Sequence, residues 1–323
     1  MTETLSSNSV VTTGGLALSI VTPFHKNDPA LLLEILSHQS KDMSVELIVV
    51  DDGSGMPALN QQVMTAIDAF PAPATLVTFH ANQGRSAARN RLIQQARAPY
   101  ILFLDSDMAP DSETFLHDWL DLIMRTKPTI AYGGFTTVQV PNLPELALAR
   151  ALAERGDCHD ARERSQRGAM AVATSNLLVR ADIMRQVSFD SDFTGWGWED
   201  VDWALRAVAA GFEIAHVQIP ATHMGLDIPA VLLDKFAKAG PNFRRMIARH
   251  PNMKSTKGMW LAKLLGYLPF QGLMRRVLYA TAMNEAVPLQ WRSRAARVWR
   301  ALWASPKTIT TTVASASAAI PLP

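Results

Sequence analysis

The chain reads as an α/β protein built on an open sheet, and three observations predict that class. Short apolar, β-branched runs alternate with stretches at helical spacing. Acidic residues gather just after those runs, where the carboxyl ends of strands lie and where such sheets bind ligands. The composition, 48% hydrophobic and 19% charged over 323 residues, suffices for one large domain and an appendage.

Leu16 to Thr22 is an apolar run closing at Pro23, the pattern of a strand buried on both faces. Asp28 and Pro29 supply an N-cap and first position for a helix with apolar Leu32, Leu33, Ile35 and Leu36. Val45 to Val50 is a second strand, stopping at Asp51-Asp52-Gly53-Ser54. Val63 to Phe70 is helical in pattern and Thr75 to Phe79 a third strand. Ser86 to Ala96, rich in Ala, Arg and Gln, predicts a helix, and Tyr100 to Leu104 a fourth strand ending at Asp105-Ser106-Asp107. Ile130 to Gln139 then suits a strand and Pro144 to Arg155 a helix, while the charge-dense Asp157 to Arg167, edged by Gly156 and Gly168, predicts a mobile loop. Ser175 to Val179 is a strand, Glu199 to Ala210 a helix closed by Gly211, and Glu213 to Ile219 a final strand.

The domain boundaries follow: a flexible N-terminus over 1–15, the α/β domain over 16–240, a basic helical extension over 241–307 and a disordered tail over 308–323. Cys158 is the sole cysteine, which excludes an intramolecular disulfide and suits a reducing compartment. Met1 to Gly15 carries no export signal, so a cytoplasmic protein is expected. The net charge of +2 hides an asymmetry: thirteen Lys or Arg stand against the single acid Glu285 after Gly240, and the first 240 residues are correspondingly acidic. A basic appendage predicts an anionic partner. Met259 to Met274 is apolar but interrupted by Lys263, Gly266, Pro269 and Gln271, short of a spanning helix. Between Trp291 and Trp303 a helical projection puts Trp291, Ala295, Val298, Trp299 and Leu302 opposite Arg294, Arg297 and Arg300. That pattern fits a helix lying in a membrane interface or one docked on the protein's own body; the charge excess favours the membrane. The same apolar clustering of the aromatics argues against nucleic acid as partner.

Two carboxylates at one strand end, Asp105 and Asp107, are hard oxygen donors suited to Mg²⁺ or Mn²⁺, although about one such pair is expected by chance in a chain this long. Asp51-Asp52-Gly53-Ser54 at another strand end reads equally as a tight turn. Asn82, Gly84, Arg89 and Asn90 follow a third strand, where an arginine is placed for phosphate or a base. His223, after the last strand, is a common residue type for completing a metal site. Gly195-Trp196-Gly197-Trp198-Glu199-Asp200 sets two carboxylates beside two indoles at a helix start; a turn followed by acids that complement the helix dipole is the structural alternative.

Taken in order, Val21-Thr22-Pro23-Phe24, Val49 to Ser54, Asn82-Gln83-Gly84 with Ala88-Arg89-Asn90, Phe103 to Asp107 and Trp196 to Asp200 resemble glycosyltransferase family 2. The resemblance spans about Leu16 to Gly225, and Gly195 to Trp203 is similar to the acceptor signature of beta-galactosyltransferases and chondroitin-type polymerases. It implies a GT-A, Rossmann-like fold with a mixed, mainly parallel sheet flanked by helices. It implies an inverting, metal-dependent transfer from a nucleotide-sugar, a UDP-sugar first among them, to a hydroxyl of a glycan or lipid-linked acceptor. Thr22, Phe24 and Asp52 would hold the nucleobase, with Arg89 nearby and Asp105-Ser106 on the donor. Asp107, with Asp105 and His223, would ligate Mn²⁺ or Mg²⁺. Asp200 would be the catalytic base, Glu199 would touch the acceptor, and Trp196, Gly197 and Trp198 would form its platform. Trp198 departs from those relatives, which usually have Gly there. The roles implied are surface polysaccharide or glycolipid synthesis, at the inner face of the cytoplasmic membrane through residues 241–307. Two other readings are a sugar-nucleotide nucleotidylyltransferase, which should show a Gly-rich basic loop where Thr22-Pro23-Phe24-His25 stands, and a catalytically silent membrane-associated scaffold.

Overall fold

A computed structural model of the chain describes residues 3–11, 14–253 and 257–305. The chain divides into two compact units, Met1–Pro144 with Arg150–Leu226, and Glu145–Ala149 with Asp227–Pro323. That division falls earlier than the boundary expected at residue 240.

The first unit is strands and helices in alternation. In order come β1 (Glu3–Ser7), β2 (Leu18–Phe24), α1 (Ala30–Gln39), β3 (Val45–Asp51), α2 (Pro57–Asp68), β4 (Ala74–Phe79), α3 (Arg85–Gln95) and β5 (Tyr100–Leu104). Then follow β6 (Met108–Pro110), α4 (Phe115–Thr126), β7 (Ile130–Tyr132), β8 (Phe135–Thr136), α5 (Ala147–Gly156), α6 (Ala161–Arg167), β9 (Asn176–Arg180), α7 (Ala181–Gln186), α8 (Glu199–Ala209), β10 (Ile214–His216) and β11 (Ala221–His223). Eight strands form one sheet in the order β1-β4-β3-β2-β5-β9-β7-β10, and β6-β11-β8 form a second, three-stranded sheet. β4, β3, β2 and β5 run parallel, whereas β9 is antiparallel to both β5 and β7. Because β3 and β4 lie on one side of β2 and β5 on the other, the connection reverses direction between β2 and β5. A crevice opens beyond the carboxyl ends at such a point, here at Phe24 and Asp105.

Side-chain alternation explains the burial. Leu18, Ile20, Leu47, Val49, Leu102 and Leu104 point to one face, under the apolar stripes of α1, α2 and α4. Val21, Ile48, Val50, Ile101 and Phe103 point to the other, where α3, α7 and α8 cover them. Each fully buried Val, Leu or Ile contributes about 2 kcal/mol. The core strands therefore have no polar face for alternation to reveal, as their continuous apolar runs imply.

Several sequence expectations are corrected. Within the N-terminus expected to be flexible, Glu3–Ser7 adds to the sheet edge antiparallel to β4. Arg91 grips both Glu3 carboxylate oxygens, and the Asn8 amide donates to the carbonyls of Ile67, Phe70 and Ala72. The span Ile130 to Gln139 breaks into β7 and β8 because Gly134 takes φ +82°. Part of the predicted loop over Asp157 to Arg167 is helix α6: Asp160 caps it by accepting the Glu163 N–H at 2.7 Å, and the buried Arg164 donates to the carbonyls of Gly133, Val217 and His159. Arg164 alone among its charged side chains is buried, while Arg162, Glu163 and Arg167 stay exposed. The first helix begins at Ala30, with Asp28 accepting the Ala30 N–H at 2.9 Å.

The second unit is helical: α9 (Pro229–Lys238), α10 (Gly240–Arg249), α11 (Lys257–Gly266), α12 (Gln271–Met283) and α13 (Leu289–Ala304). On α13, Ala295, Trp299 and Leu302 are buried. Trp299 packs against Tyr279 and Trp303 and donates its indole N–H to the Leu233 carbonyl at 3.0 Å. Three of the five stripe residues are thus covered by the unit's own helices, while Val298 is half-buried and Trp291 stays 51% exposed. Among the described residues no helix is long and apolar enough to cross a membrane. The tail over 308–323 lies outside the described residues.

Candidate active site

The crevice at the ends of β2 and β5 is organised by one buried guanidinium. Arg89, on α3, is 1% exposed and donates to Asp200 Oδ1 at 2.9 Å, Asp105 Oδ1 at 3.1 Å and Glu199 Oε1 at 3.2 Å. Three elements meet there: the end of β5 presents Asp105, while Glu199 and Asp200 open α8. Acids in a helix's first turn complement its dipole, so the position suits them locally. Burial would lower the Arg89 pKa, but Asp200, Asp105 and Glu199 outweigh it and raise it. The resemblance implied a place for Arg89 near the nucleobase; in the fold its Nη1 and Nη2 donate to carboxylates, and its Nε has no hydrogen-bond partner.

One cation among three acids leaves the cluster negative, with Arg85 3.9 Å from Glu199 as a second, half-exposed cation. Burial pushes the Asp200 carboxyl up to about 6; Arg89 opposes the shift, and Glu199 and Asp105 add to it. Burial also works to raise Asp105, yet Arg89 and Arg85 prevail and its pKa is lowered. Thr174 completes the grip on Asp200: its N–H donates to Oδ2 at 3.2 Å and its hydroxyl to Oδ1 at 3.0 Å. A carboxylate offers about four acceptor positions, so one remains, on Oδ2. Asp200 is 20% exposed and reachable, while Glu199 is buried with Oε2 lacking a hydrogen-bond partner. Direct contact of Glu199 with an acceptor is therefore corrected to a place beneath the base.

The approach to Asp200 is the Gly-Trp-Gly-Trp run. Gly195 and Gly197 take φ +77° and +92°, conformations that glycine adopts freely, and Trp198 takes φ +77° immediately before α8. A left-handed tryptophan costs about 1 kcal/mol or more. Trp196, Gly197 and Trp198 are all half-buried. Asn90 fixes the segment upstream by exchanging two hydrogen bonds with the Phe189 backbone at 2.9 and 3.0 Å.

On the donor side, Asp52 accepts the Gln83 N–H at 2.7 Å, the Gly84 N–H at 3.0 Å and the Asn82 amide at 3.0 Å. Burial raises its pKa against those hydrogen bonds, and its carboxylate folds the loop over 82–84. Thr22 and Phe24, expected against a base, are corrected: Phe24 is a core side chain, and the Thr22 hydroxyl is buried without a hydrogen-bond partner. Alternation sends both away from the crevice. Ser106 is buried and accepts from the Asn27 amide.

Asp107 and His223 converge because β6 pairs antiparallel with β11, setting Met108 opposite His223. His223 Nε2 lies 3.4 Å from Asp107 Oδ2. Gly225 forms a cradle for that carboxylate, since a Cβ there would stand 2.0 Å from Asp107 Oδ2. Among the described residues no group of three or more His, Cys, Asp or Glu could itself hold a metal. Asp105, expected as the third ligand, is drawn to Arg89. The remaining oxygen and imidazole pair suits an ion whose other ligands come from a phosphate-bearing substrate.

Sequence reasoning missed Thr174, Arg85, Asn27 and Gly225. Thr174 lies just before β9, and only the antiparallel pairing of β9 with β5 brings it to the acids.

The comparisons bear on family and fold. The family model for glycosyl transferase family 2 matches residues 19–186. The glycosyltransferase AglE of Haloferax volcanii is 24% identical over 267 residues, 78% of this chain and 81% of that protein. An uncharacterized glycosyltransferase of Haemophilus influenzae is 30% identical over 121 residues, 36% of this chain and 46% of its own. Among solved structures, S. aureus TarS 1–349 is similar with a TM-score of 0.51 and 14% identity over 90% of both chains. The mannosyltransferase PcManGT of Pyrobaculum calidifontis, in complex with GDP-Man and Mn²⁺, has a TM-score of 0.51 and 15% identity over 91% of this chain and 88% of that one. The chain belongs to glycosyl transferase family 2 and is a glycosyltransferase with the GT-A fold.

Proposed function

We propose that this glycosyltransferase moves a sugar, with inversion, from a UDP-sugar to a hydroxyl of a glycan or lipid-linked acceptor. The role is synthesis of surface polysaccharide or glycolipid at the inner face of the cytoplasmic membrane, which the basic extension over 241–307 meets. The observation that carries the reading is the shared guanidinium of Arg89, tying Asp105 on the donor side to Asp200 on the acceptor side. The nucleotide-sugar class is supported by structures of similar fold, TarS 1–349 with UDP-GlcNAc and PcManGT with GDP-Man and Mn²⁺.

Asp52 shapes the nucleobase pocket through the loop it folds, and Asp105 and Ser106 line the donor. Asp107 and His223 would hold Mn²⁺ or Mg²⁺ together with the donor diphosphate. Such an ion neutralises charge on a departing diphosphate. The half-buried Trp196 and Trp198 rings present apolar faces to acceptor sugar C–H groups. The acceptor hydroxyl gives its proton to Oδ2 of Asp200, and its oxygen forms the bond to the anomeric carbon. The bond from that carbon to the diphosphate oxygen breaks as the new one forms; the nucleoside diphosphate leaves with the electron pair, and configuration inverts. A pKa of about 6 keeps Asp200 mostly ionised at neutral pH and makes it a stronger base than an ordinary aspartate.

Incubating the protein with a panel of nucleotide-sugars and measuring nucleoside diphosphate release tests the reading. Release from one UDP-sugar, restored by Mn²⁺ after chelation, is expected. Release from none of the panel, with or without acceptor glycans, contradicts it.

A further inference from the structure

We infer that the outward face of α11 and α12 is a docking surface for an anionic phospholipid bilayer. This rests on the proposal that residues 241–307 meet a membrane, and it moves the contact away from α13. Trp260, Leu264 and Tyr267 recur at helical spacing on α11 and its end, followed by Phe270, Leu273 and Val277, and all six are 44–79% exposed. Soluble proteins scatter such side chains singly; two exposed apolar stripes that follow one another in the chain at helical spacing mark a surface that something covers.

Charge decides the occupant. After Gly240 the chain holds thirteen Lys or Arg against one acid, and exposed Lys263 and Arg276 flank the apolar series. A second copy would bring like charges together, because a symmetric contact joins the same patch to itself. Nucleic acid would match the charge but gives Leu264, Leu273 and Val277 nothing apolar to enter. An anionic bilayer satisfies both: aromatic and aliphatic side chains sink to the acyl boundary while lysine and arginine meet the headgroups. The described helices are too short and too polar to cross, so the face lies in the interfacial plane.

Co-sedimentation of the full chain with phosphatidylcholine vesicles, with and without about 30 mol% phosphatidylglycerol, tests the inference. Binding is expected only with the anionic lipid, weakening several-fold from about 0.1 to about 0.5 M salt. Phe270→Ser with Leu273→Ser, and separately Lys263→Glu with Arg276→Glu, should each lower partitioning about tenfold while circular dichroism and melting stay unchanged. An Arg294→Glu control on α13 should do so by no more than about twofold. Anionic binding insensitive to both double variants overturns the assigned face and leaves the membrane reading standing. Absence of binding overturns both. Dissociation of a dimer by these substitutions, or displacement of vesicles by a DNA duplex that the Ser variants still bind, overturns the lipid as occupant.

Discussion

Replacing Arg89 with Met removes the cation that three carboxylates share, and its cost can be worked from the site. Breaking a buried ion pair by deleting one partner costs about 3–5 kcal/mol, because the remaining charge stays buried and uncompensated. Here Asp105, Glu199 and Asp200 are all left behind, with Arg85 3.9 Å from Glu199 the nearest remaining cation. The upper end, about 5 kcal/mol at pH 7.5, is expected. The loss depends on pH with a definite sign. Asp200 is already raised to about 6 with Arg89 present, and Asp105 is held low largely by it. Without Arg89 both carboxyls rise. A carboxyl raised in the folded state favours folding while protonated, and that advantage disappears as pH climbs through the folded pKa. Each unit of rise is about 1.4 kcal/mol, so the deficit should shrink by about 2 kcal/mol at pH 5. Urea unfolding followed by circular dichroism at both pH values measures this, with Arg89→Lys, which keeps the charge but not the fork, falling between. A deficit under about 1 kcal/mol, or one equal at both pH values, refutes the shared-cation account.

Thr174→Val removes the hydroxyl from Asp200 Oδ1 but keeps the backbone N–H. The ionised base loses a donor, so the acid limb of kcat/KM should move to higher pH and activity near pH 6 fall about tenfold, with Thr174→Ser restoring both; an unmoved profile makes Thr174 a packing residue only. Gly225→Ala should displace Asp107 from His223 and weaken Mn²⁺ activation about tenfold while the melting temperature holds within a few degrees, as read by metal titration and circular dichroism. Asp160→Ala should destabilise α6 by about 1 kcal/mol, seen as faster amide exchange over Ala161–Arg167; unchanged exchange rejects the cap.

The parallel half of the sheet was legible because strands buried on both faces write continuous apolar runs, as Val45–Asp51 and Tyr100–Leu104 do. The edge strand Glu3–Ser7 has no such run: polar in sequence, it is held by backbone pairing and by Arg91. The antiparallel course of β9 was invisible too, since a short apolar strand reads alike in either direction. That is why Thr174 escaped notice. For the acids, position at strand and helix ends located Asp105, Asp107 and Asp200, but their partners depend on long-range pairing. Arg89 was read as placed for phosphate or a base, and only tertiary packing shows it buried among Asp105, Glu199 and Asp200. Phe24 and Thr22 err in the opposite sense, because nearness in sequence to a crevice says nothing about which face a side chain takes.

Asp200→Asn tests the central claim most directly. The substitution keeps the side chain's shape and removes a carboxylate that is costly to ionise in place, so the fold should be as stable or slightly more stable at pH 7.5. Nucleotide-sugar affinity and the rate of sugar transfer are measured side by side, once the donor is found. Unchanged donor binding with transfer reduced about a thousandfold or more is the predicted result. Transfer retained within about tenfold, with binding intact, contradicts the assignment of Asp200 as the base.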